Sequence, residues 1–452
     1  MTPIWGGFRV GLVPAIMLLT LGVSFGQSFY ELKIGSYPGI MRQERGVNPG
    51  IATGSHVGYY VRFGEDISLL CSRYGIPITQ SVEGYRKNPK FRVNVFATQG
   101  SFESLKRLRK EDEVQLAIVQ SDLYTYAKEH GTVSYLERVY PGPIGPQERR
   151  IADSWNEIAE KIQLLMPLFT EKIHIVVRPG ETRYEDLLSL FQKRARVNVG
   201  SLGSGTMVTC SLLEEAITAQ DPSLRWKKNY MSSGAALDRL LDGSENDEEG
   251  LDAVIFVGAE PFPALERFTL NLIQSSTKRR GNLYLELFGK DSTEVRTKMK
   301  LLPTGRAEKY VDLNRAGYVR TEIEGYQLLR GEGQKPVSTL GVTACLVTHR
   351  DYTESAGVES HKIAWVRHIV YRILSKLTDR GLDVDFVPRA GDKWELTAKT
   401  IQEINSGQRS WSDFGWLRKE DRYLTEMFRV WQGTSRPKPI SEGYIDPDNS
   451  FD

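Results

Sequence analysis

Short strand-like runs alternate with helix-like runs along most of this chain, and this alternation restricts the fold more than any other feature. Residues 32–37 alternate like a strand, a turn-rich stretch follows to 50, and a helix is expected from Ser55. The same grammar repeats as a strand at 92–97, a helix at 102–110, a strand at 114–119 and a helix from Asp122 towards His130. Within 102–110, Phe102, Leu105 and Leu108 share one face while Glu103 precedes Arg107 by one helical turn. Such a helix buries one side and pairs charges on the other. Strands joined through helices imply crossover connections, hence an α/β fold with a parallel-rich sheet.

A second series follows the Pro/Gly-rich connection at 140–147. Residues 158–168 are apolar with helical spacing, 172–177 form a strand, and Thr182 with Glu185 reads as a capping box opening a helix to about 194. A strand at 196–200, a helix opened by Gly203-Ser204-Gly205-Thr206 and running to about 219, and a buried strand at 252–257 complete it, the last after an acidic loop at 242–250. The apolar run 337–348 can carry the chain back to the first series, and 361–377 reads as an amphipathic helix. The final tract holds Trp394, Trp411, Trp416 and Trp431 and is expected to pack as an extension. A length of 452 residues exceeds one domain of about 100–200 residues, so two lobes are expected. Lobe one spans about 27–171 with 337–452 returning to it, and lobe two about 172–336.

The amino terminus points out of the cytoplasm. Arg9 is the sole charge before the apolar run 10–25, whose 16 residues fall short of the roughly 20 needed to span a bilayer. Ser24 and Gly26 are the small residues of a cleavage site, so 1–26 reads as a signal peptide and the mature chain as periplasmic. The alternative, an uncleaved anchor helix, is weakened by Pro14 and the glycines. Lys plus Arg total 59 against 57 Asp plus Glu, a balance without the electrostatic footprint of a nucleic-acid partner. Three distant cysteines, Cys71, Cys210 and Cys345, make no disulfide scaffold, leaving one bridge or three buried thiols. No histidine stands at metal-ligand spacing, so no metal or cofactor is expected. No Gly-x-Ser-x-Gly, His-Glu-x-x-His or recognisable nucleophilic cysteine marks a catalytic residue.

Chemistry concentrates in the loops that precede helices: Thr53-Gly54-Ser55, Thr98-Gln99-Gly100-Ser101, Gln120-Ser121-Asp122 and Ser201-Leu202-Gly203-Ser204-Gly205-Thr206. A helix start exposes unpaired N–H groups and about half a positive charge, and so holds carboxylate or phosphate without Lys or Arg. Glycine lets a backbone approach closely and hydroxyls add donors. Each loop alone reads first as helix capping; recurrence in two series suggests one cleft approached from both sides. Asp122 either binds a ligand amine or caps its own helix. The Ser204 loop lacks the Gly-Lys-Ser/Thr ending of a nucleotide loop.

At these loops the sequence resembles the TAXI branch of TRAP-transporter solute receptors, which have the two-lobed type II periplasmic binding protein fold with a ligand cleft between lobes. The resemblance rests on Thr53-Gly54-Ser55 with Tyr59-Tyr60, on Thr98-x-Gly100-Ser101-x-x-Ser104-Leu105, on the strand ending Gln120-Ser121-Asp122, on Gly200 to Thr206, and on Asp252 to Gly258. Ser104 stands where the family has Asn, Leu202 replaces a proline, and the family's His-Pro-Gly-Ala ending has no match. The resemblance implies a ligand set of Thr53, Gly54, Ser55, Tyr59, Thr98, Gly100, Ser101, Gln120, Asp122, Ser201, Gly203, Ser204, Gly205, Thr206 and Val257. It further implies capture of a small carboxylate, such as glutamate, 2-oxoglutarate or a related dicarboxylate, for an ion-driven TRAP-type permease. Two other readings stay open: a sensor subunit docking on a membrane signalling kinase, and an exported enzyme on the same fold.

Overall fold

Two long strands run through both parts of the sheet and organise everything else. The computed structural model describes residues 48–55, 58–74, 93–110, 114–127, 161–178, 181–242, 250–262, 300–311, 318–324, 336–352 and 388–406, together with 265–266, 313, 326, 366, 369–370, 372–374, 376–377 and 408. The signal segment, the strand expected at 32–37, and Trp411, Trp416 and Trp431 lie outside these residues. The first series comprises β1 (Gly50–Ala52), α1 (Tyr59–Tyr74), β2 (Asn94–Phe96), α2 (Ser101–Lys110) and β3 (Leu116–Gln120). The long strand β4 (Ile162–Val177) leads to α3 (Leu187–Gln192), β5 (Arg196–Asn198), α4 (Gly205–Gln220), β6 (Lys227–Asn229), α5 (Ser233–Asp242) and β7 (Ala253–Gly258). Then come β8 (Lys300–Leu302), β9 (Val319–Ile323), the second long strand β10 (Val337–His349) and α6 (Lys393–Asn405).

The strands follow the order β2-β1-β3-β10-β4-β7-β5-β6, with β8 pairing β4 and β9 pairing β10. Both halves obey one plan. In the first, β1 runs parallel to β2 and β3, β3 is antiparallel to β10, and β10 is antiparallel to β4. In the second, β5 runs parallel to β6 and β7, β7 is antiparallel to β4, and β4 is antiparallel to β8. β4 changes partners along its length: Ile162 to Lys172 lie against β10, and Lys172 to Val177 lie against β7. This is the two-lobed α/β fold expected from the sequence, its halves joined by β4 and β10. Sharing those strands and lying in contact, the halves form one compact unit from Pro49 onward.

Residues 158–168, expected as a helix, instead contain the start of β4. Ile162, Leu164, Leu165, Met166, Leu168 and Phe169 are buried, so this central strand is covered on both faces. A strand buried that way reads as a continuous apolar run, which periodicity does not separate from a buried helix. The capping box also lies one helical turn later than expected. Asp186 Oδ1 accepts from Ser189 N at 2.9 Å, and Ser189 Oγ accepts from Asp186 N at 3.2 Å. Arg306 Nε donates to Asp186 Oδ2 at 2.8 Å, and this partner over a hundred residues away gives local pattern no clue.

Alternation along β4 serves two cores in the second half. Ile173, Ile175 and Val177 join one cluster with Val197, Leu213 and Trp226, while Val176 joins Val254, Phe256 and Leu240 on the other face. The first half packs β1, β3 and α1 around Phe63, Ile67 and Phe169. Cys71, Cys210 and Cys345 are free and buried.

Residues 388–405 dock on α1. Trp394 stacks on Phe63 with ring centroids 4.3 Å apart, and its Nε1 donates to Asp66 Oδ2 at 2.9 Å. The same carboxylate accepts the amides of Arg389 at 2.8 Å and Ala390 at 2.9 Å. One buried aspartate thus takes three donors from the carboxyl-terminal segment, which counter part of its desolvation.

Two predictions follow from this packing. Trp394→Ala removes a stacked ring and leaves a cavity, and is expected to cost about 3–5 kcal/mol of stability, read from the urea midpoint. His174 is fully buried between Phe262 and Tyr326, with neither ring nitrogen hydrogen-bonded, and burial pushes its imidazole down to about 4. Because the unfolded ring titrates near 6.5, the unfolded chain binds the extra proton in that interval. The stability that His174 contributes is present above about 6.5 and is lost as pH falls towards about 4. The difference in urea midpoint between wild type and His174→Leu should therefore shift in favour of the variant across that window.

Candidate functional site

The loops singled out in the sequence lie at the ends of the parallel strands, where an α/β sheet gathers ligand groups. In the first half, three of them are stitched together. Thr53 N donates to Phe96 O at 2.8 Å and Thr53 Oγ1 to the same oxygen at 3.1 Å. The Thr53 carbonyl accepts from Thr98 Oγ1 and, at 2.7 Å, from Ser104 Oγ. Ser101 Oγ accepts from Gln120 N at 3.2 Å. The hydroxyls of Thr53, Thr98 and Ser101 thus have backbone partners within their own half. Ser104, which departs from the family pattern, belongs to the same stitching.

In the second half, the loop before α4 is built tightly. Gly200 has φ of +89°, and a Cβ there would meet Ser204 Oγ at 2.7 Å and Thr206 Cβ at 2.9 Å. A side chain would suffer both the backbone conformation and the crowding. Ser204 is the N-cap, its Oγ accepting from Met207 N at 3.2 Å. Thr206 Oγ1 accepts from Val257 N at 3.1 Å, fixing the start of α4 to β7. Leu202, at the loop tip, is exposed.

The two loop systems meet. A Cβ on Gly100 would stand 3.0 Å from Ser204 Cα and 3.2 Å from Gly203 O, and one on Gly205 would stand 2.0 Å from Gln120 Oε1. Glycine at 100 lets the backbones of opposite halves touch, and glycine at 205 makes room for the Gln120 side chain. Gln120 Nε2 donates to Glu171 Oε2 at 3.0 Å and Tyr60 OH donates to the same oxygen at 2.7 Å, while Gln120 Oε1 is buried without a hydrogen-bond partner. An acceptor left without a donor in the interior is costly. This one points at the first turn of α4.

Asp122 does two things at once. Its Oδ1 accepts from the adjacent amide, Leu123 N, at 2.8 Å. Its Oδ2 accepts from Thr209 Oγ1 of α4 at 2.6 Å and from Tyr318 OH at 3.2 Å, both in the second half. Burial pushes Asp122 up to about 6 against the pull of these bonds, and it pushes Glu171 up to about 7 against those from Tyr60 and Gln120. Tyr60 and Tyr318 rise well above the usual phenol range, first by burial and then by their carboxylate partners.

Gly100, Gln120, Gly203, Ser204 and Gly205 are therefore brought together directly, and Asp122 reaches α4 one turn further along. Thr206 and Val257 contact each other. Gly54 lies against Tyr60, Ser55 is exposed and accepts from Gly58 N at 2.8 Å, and Ser201 O accepts from Ser204 N at 3.0 Å. Tyr59 is half-buried beneath the Lys393 ammonium, 4.7 Å from the ring centroid. Sequence reasoning missed Glu171, Thr209, Tyr318 and Lys393. Glu171 follows the apolar run 164–169 on the same strand, inside a polar stretch Thr170-Glu171-Lys172. Among the described residues, no group of three or more His, Cys, Asp and Glu is disposed to hold a metal ion, and no helix is long and apolar enough to cross a membrane.

No protein-family model matches the chain, and no curated protein matches it. Solved structures do match. A TRAP periplasmic solute binding protein from Shewanella oneidensis with bound succinate shares 10% identity over 85% of this chain and 93% of its own, at a TM-score of 0.35. Lactococcal OpuAC, closed on glycine betaine, shares 10% over 80% of this chain and 98% of its own, at 0.34. The periplasmic VFT2 domain of Bordetella pertussis BvgS shares 10% over 74% and 93%, at 0.30. None of these likenesses identifies a ligand or a partner for this chain.

Proposed function

We propose that this protein is an extracytoplasmic solute receptor that captures a small carboxylate between its lobes and delivers it to a TRAP-type permease. The reading takes 1–26 as a signal peptide, 27–171 with 337–452 as lobe one, and 172–336 as lobe two. Its main support is the start of α4, a helix of 16 residues, which faces Gly100 and Gln120 of the other half across a boundary holding an orphan polar atom. Helix-start amides neutralise an anion without a basic side chain. Parting the halves about β4 and β10 would clear Gln120 from Gly205 and admit a guest; bringing them together would enclose it. The resemblance at the loops supports glutamate, 2-oxoglutarate or a related dicarboxylate as that guest, with Thr53, Gly54, Ser55, Tyr59, Thr98, Gly100, Ser101, Gln120, Asp122, Ser201, Gly203, Ser204, Gly205, Thr206 and Val257 as the candidate lining.

Native mass spectrometry of the purified chain, followed by calorimetry with glutamate, 2-oxoglutarate and succinate, tests the reading. Ser204→Ala combined with Thr206→Ala is expected to weaken binding by about tenfold or more, the scale of one charge-assisted hydrogen bond. Unchanged affinity removes that loop from the site.

The buried carboxylates give a second expectation. Asp122 and Glu171 are raised in the folded chain, from 3.8 to about 6 and from 4.5 to about 7. The folded state therefore holds protons that the unfolded chain has released, and their contribution is fully present below about 4 and lost as pH rises through about 7. Asp122→Asn with Glu171→Gln should flatten the part of the pH–stability curve between those limits, a change visible in thermal melts taken across the range.

A further inference from the structure

The two halves follow one strand plan, and the plan places two acidic residues in corresponding positions. Asp122 stands two residues beyond the end of β3, and Glu260 two residues beyond the end of β7. Each is met from across the boundary between the halves, Asp122 through its carboxylate and Glu260 through its backbone carbonyl. Asp122 takes its bonds from Thr209 and Tyr318 of the second half. Glu260 is met by Lys172 of the crossing strand β4, which pairs with its carboxylate and also donates to Glu322 O, and by Lys393 of α6. Lys393 is fully buried, yet its Nζ donates to the Glu260 carbonyl at 2.6 Å and to Asp392 Oδ1 at 2.7 Å, and it lies over the Tyr59 ring.

We infer that Lys393 is the latch by which the carboxyl-terminal segment holds the two halves in contact. Its helix is anchored on the first half, because Asp66 of α1 accepts from Arg389, Ala390 and Trp394 and Phe63 stacks on that indole. From that anchorage the ammonium reaches the chain leaving β7 of the second half. A lysine is almost never buried completely unless its charge is answered, and a buried ammonium needs all three protons placed. The Glu260 carbonyl, the Asp392 carboxylate and the face of Tyr59 supply those placements together. Only the first depends on the halves being apposed. Separating them takes away the carbonyl and leaves the buried cation short of an acceptor. The segment thus adds to the contact a cost of parting that β4 and β10, which persist in either state, do not provide. That the contact governs solute capture rests on the receptor reading above; the latch itself does not, and it is measurable without a solute.

The test uses the full chain carrying spin labels at Leu69→Cys on α1 and Ala219→Cys on α4, both exposed positions in opposite halves, while the three native thiols are buried. Lys393→Met keeps the length and the packing on Tyr59 but removes the ammonium. Its pulsed-dipolar distance distribution is expected to gain a longer population absent from the parent, and Lys393→Arg to restore the shorter one. Hydrogen exchange of the amides in 394–405 is expected to stay at the parent level, since Asp66 and Phe63 still hold the helix. A distribution identical to the parent's overturns the proposal. So does a longer population accompanied by loss of protection throughout α6, which means the segment has undocked. Should Lys393→Met fail to fold, Lys393→Gln, with a donor but no charge, is measured against the same two criteria. Failure of any solute to bind would overturn the receptor reading and leave these distances standing.

Discussion

The pairing of β4 with β10 is the constraint from which the rest of the molecule follows. Thirteen-residue β10 lies antiparallel to β4 from His349–Ile162 to Gly341–Lys172 and at the same time serves β3 and β9. Both strands are apolar over most of their length and buried. Neither half completes its sheet without them, so the halves cannot be independent. Their relative placement is set by backbone hydrogen bonds at the crossing and by the side chains that meet beside it.

Those side chains are unusually polar for an interior. Glu171 sits on β4 beside the crossing and is satisfied by Tyr60 and Gln120, and Asp122 is satisfied by α4 and Tyr318. Buried carboxylates gain little net stability over apolar packing, but they are unforgiving about geometry. A contact built from them has one good arrangement. Glycine at 100 lets that arrangement form, since a side chain there would meet the backbone of 203–205, and glycine at 205 leaves room for the Gln120 amide. Polar matching and close approach together define where the halves touch.

Much of this was legible beforehand. The positions of β2, α2, β3, β5, α4, β7 and β10 follow from hydrophobic period and from Gly and hydroxyl residues at helix starts, all of them local signals. The loops were identifiable for the same reason. What escaped was non-local. β4 looked helical because a strand covered on both faces loses its alternation, and the Asp186 cap that starts α3 is also held by the distant Arg306. The expected helix start at Ser55 lies four residues before the observed α1, with Gly58 N bonded back to Ser55 O as a turn. Thr209, Tyr318 and Lys393 joined the site only through contacts between distant segments, and the partner of a hydroxyl or an ammonium is not written in its neighbours.

The return of β10 also orders the birth of the molecule. Thr343 N bonds Ser121 Oγ across 222 residues of chain, so the first half remains an open sheet edge until β10 has been made. The second half waits on the same strand, since Leu340 and Val342 of β10 belong to its core. Pairings so far apart in sequence form late, because loop closure is costly before contacts reward it. The unfinished edge of β3 is therefore the segment most in need of shielding while the nascent chain awaits its closing strand.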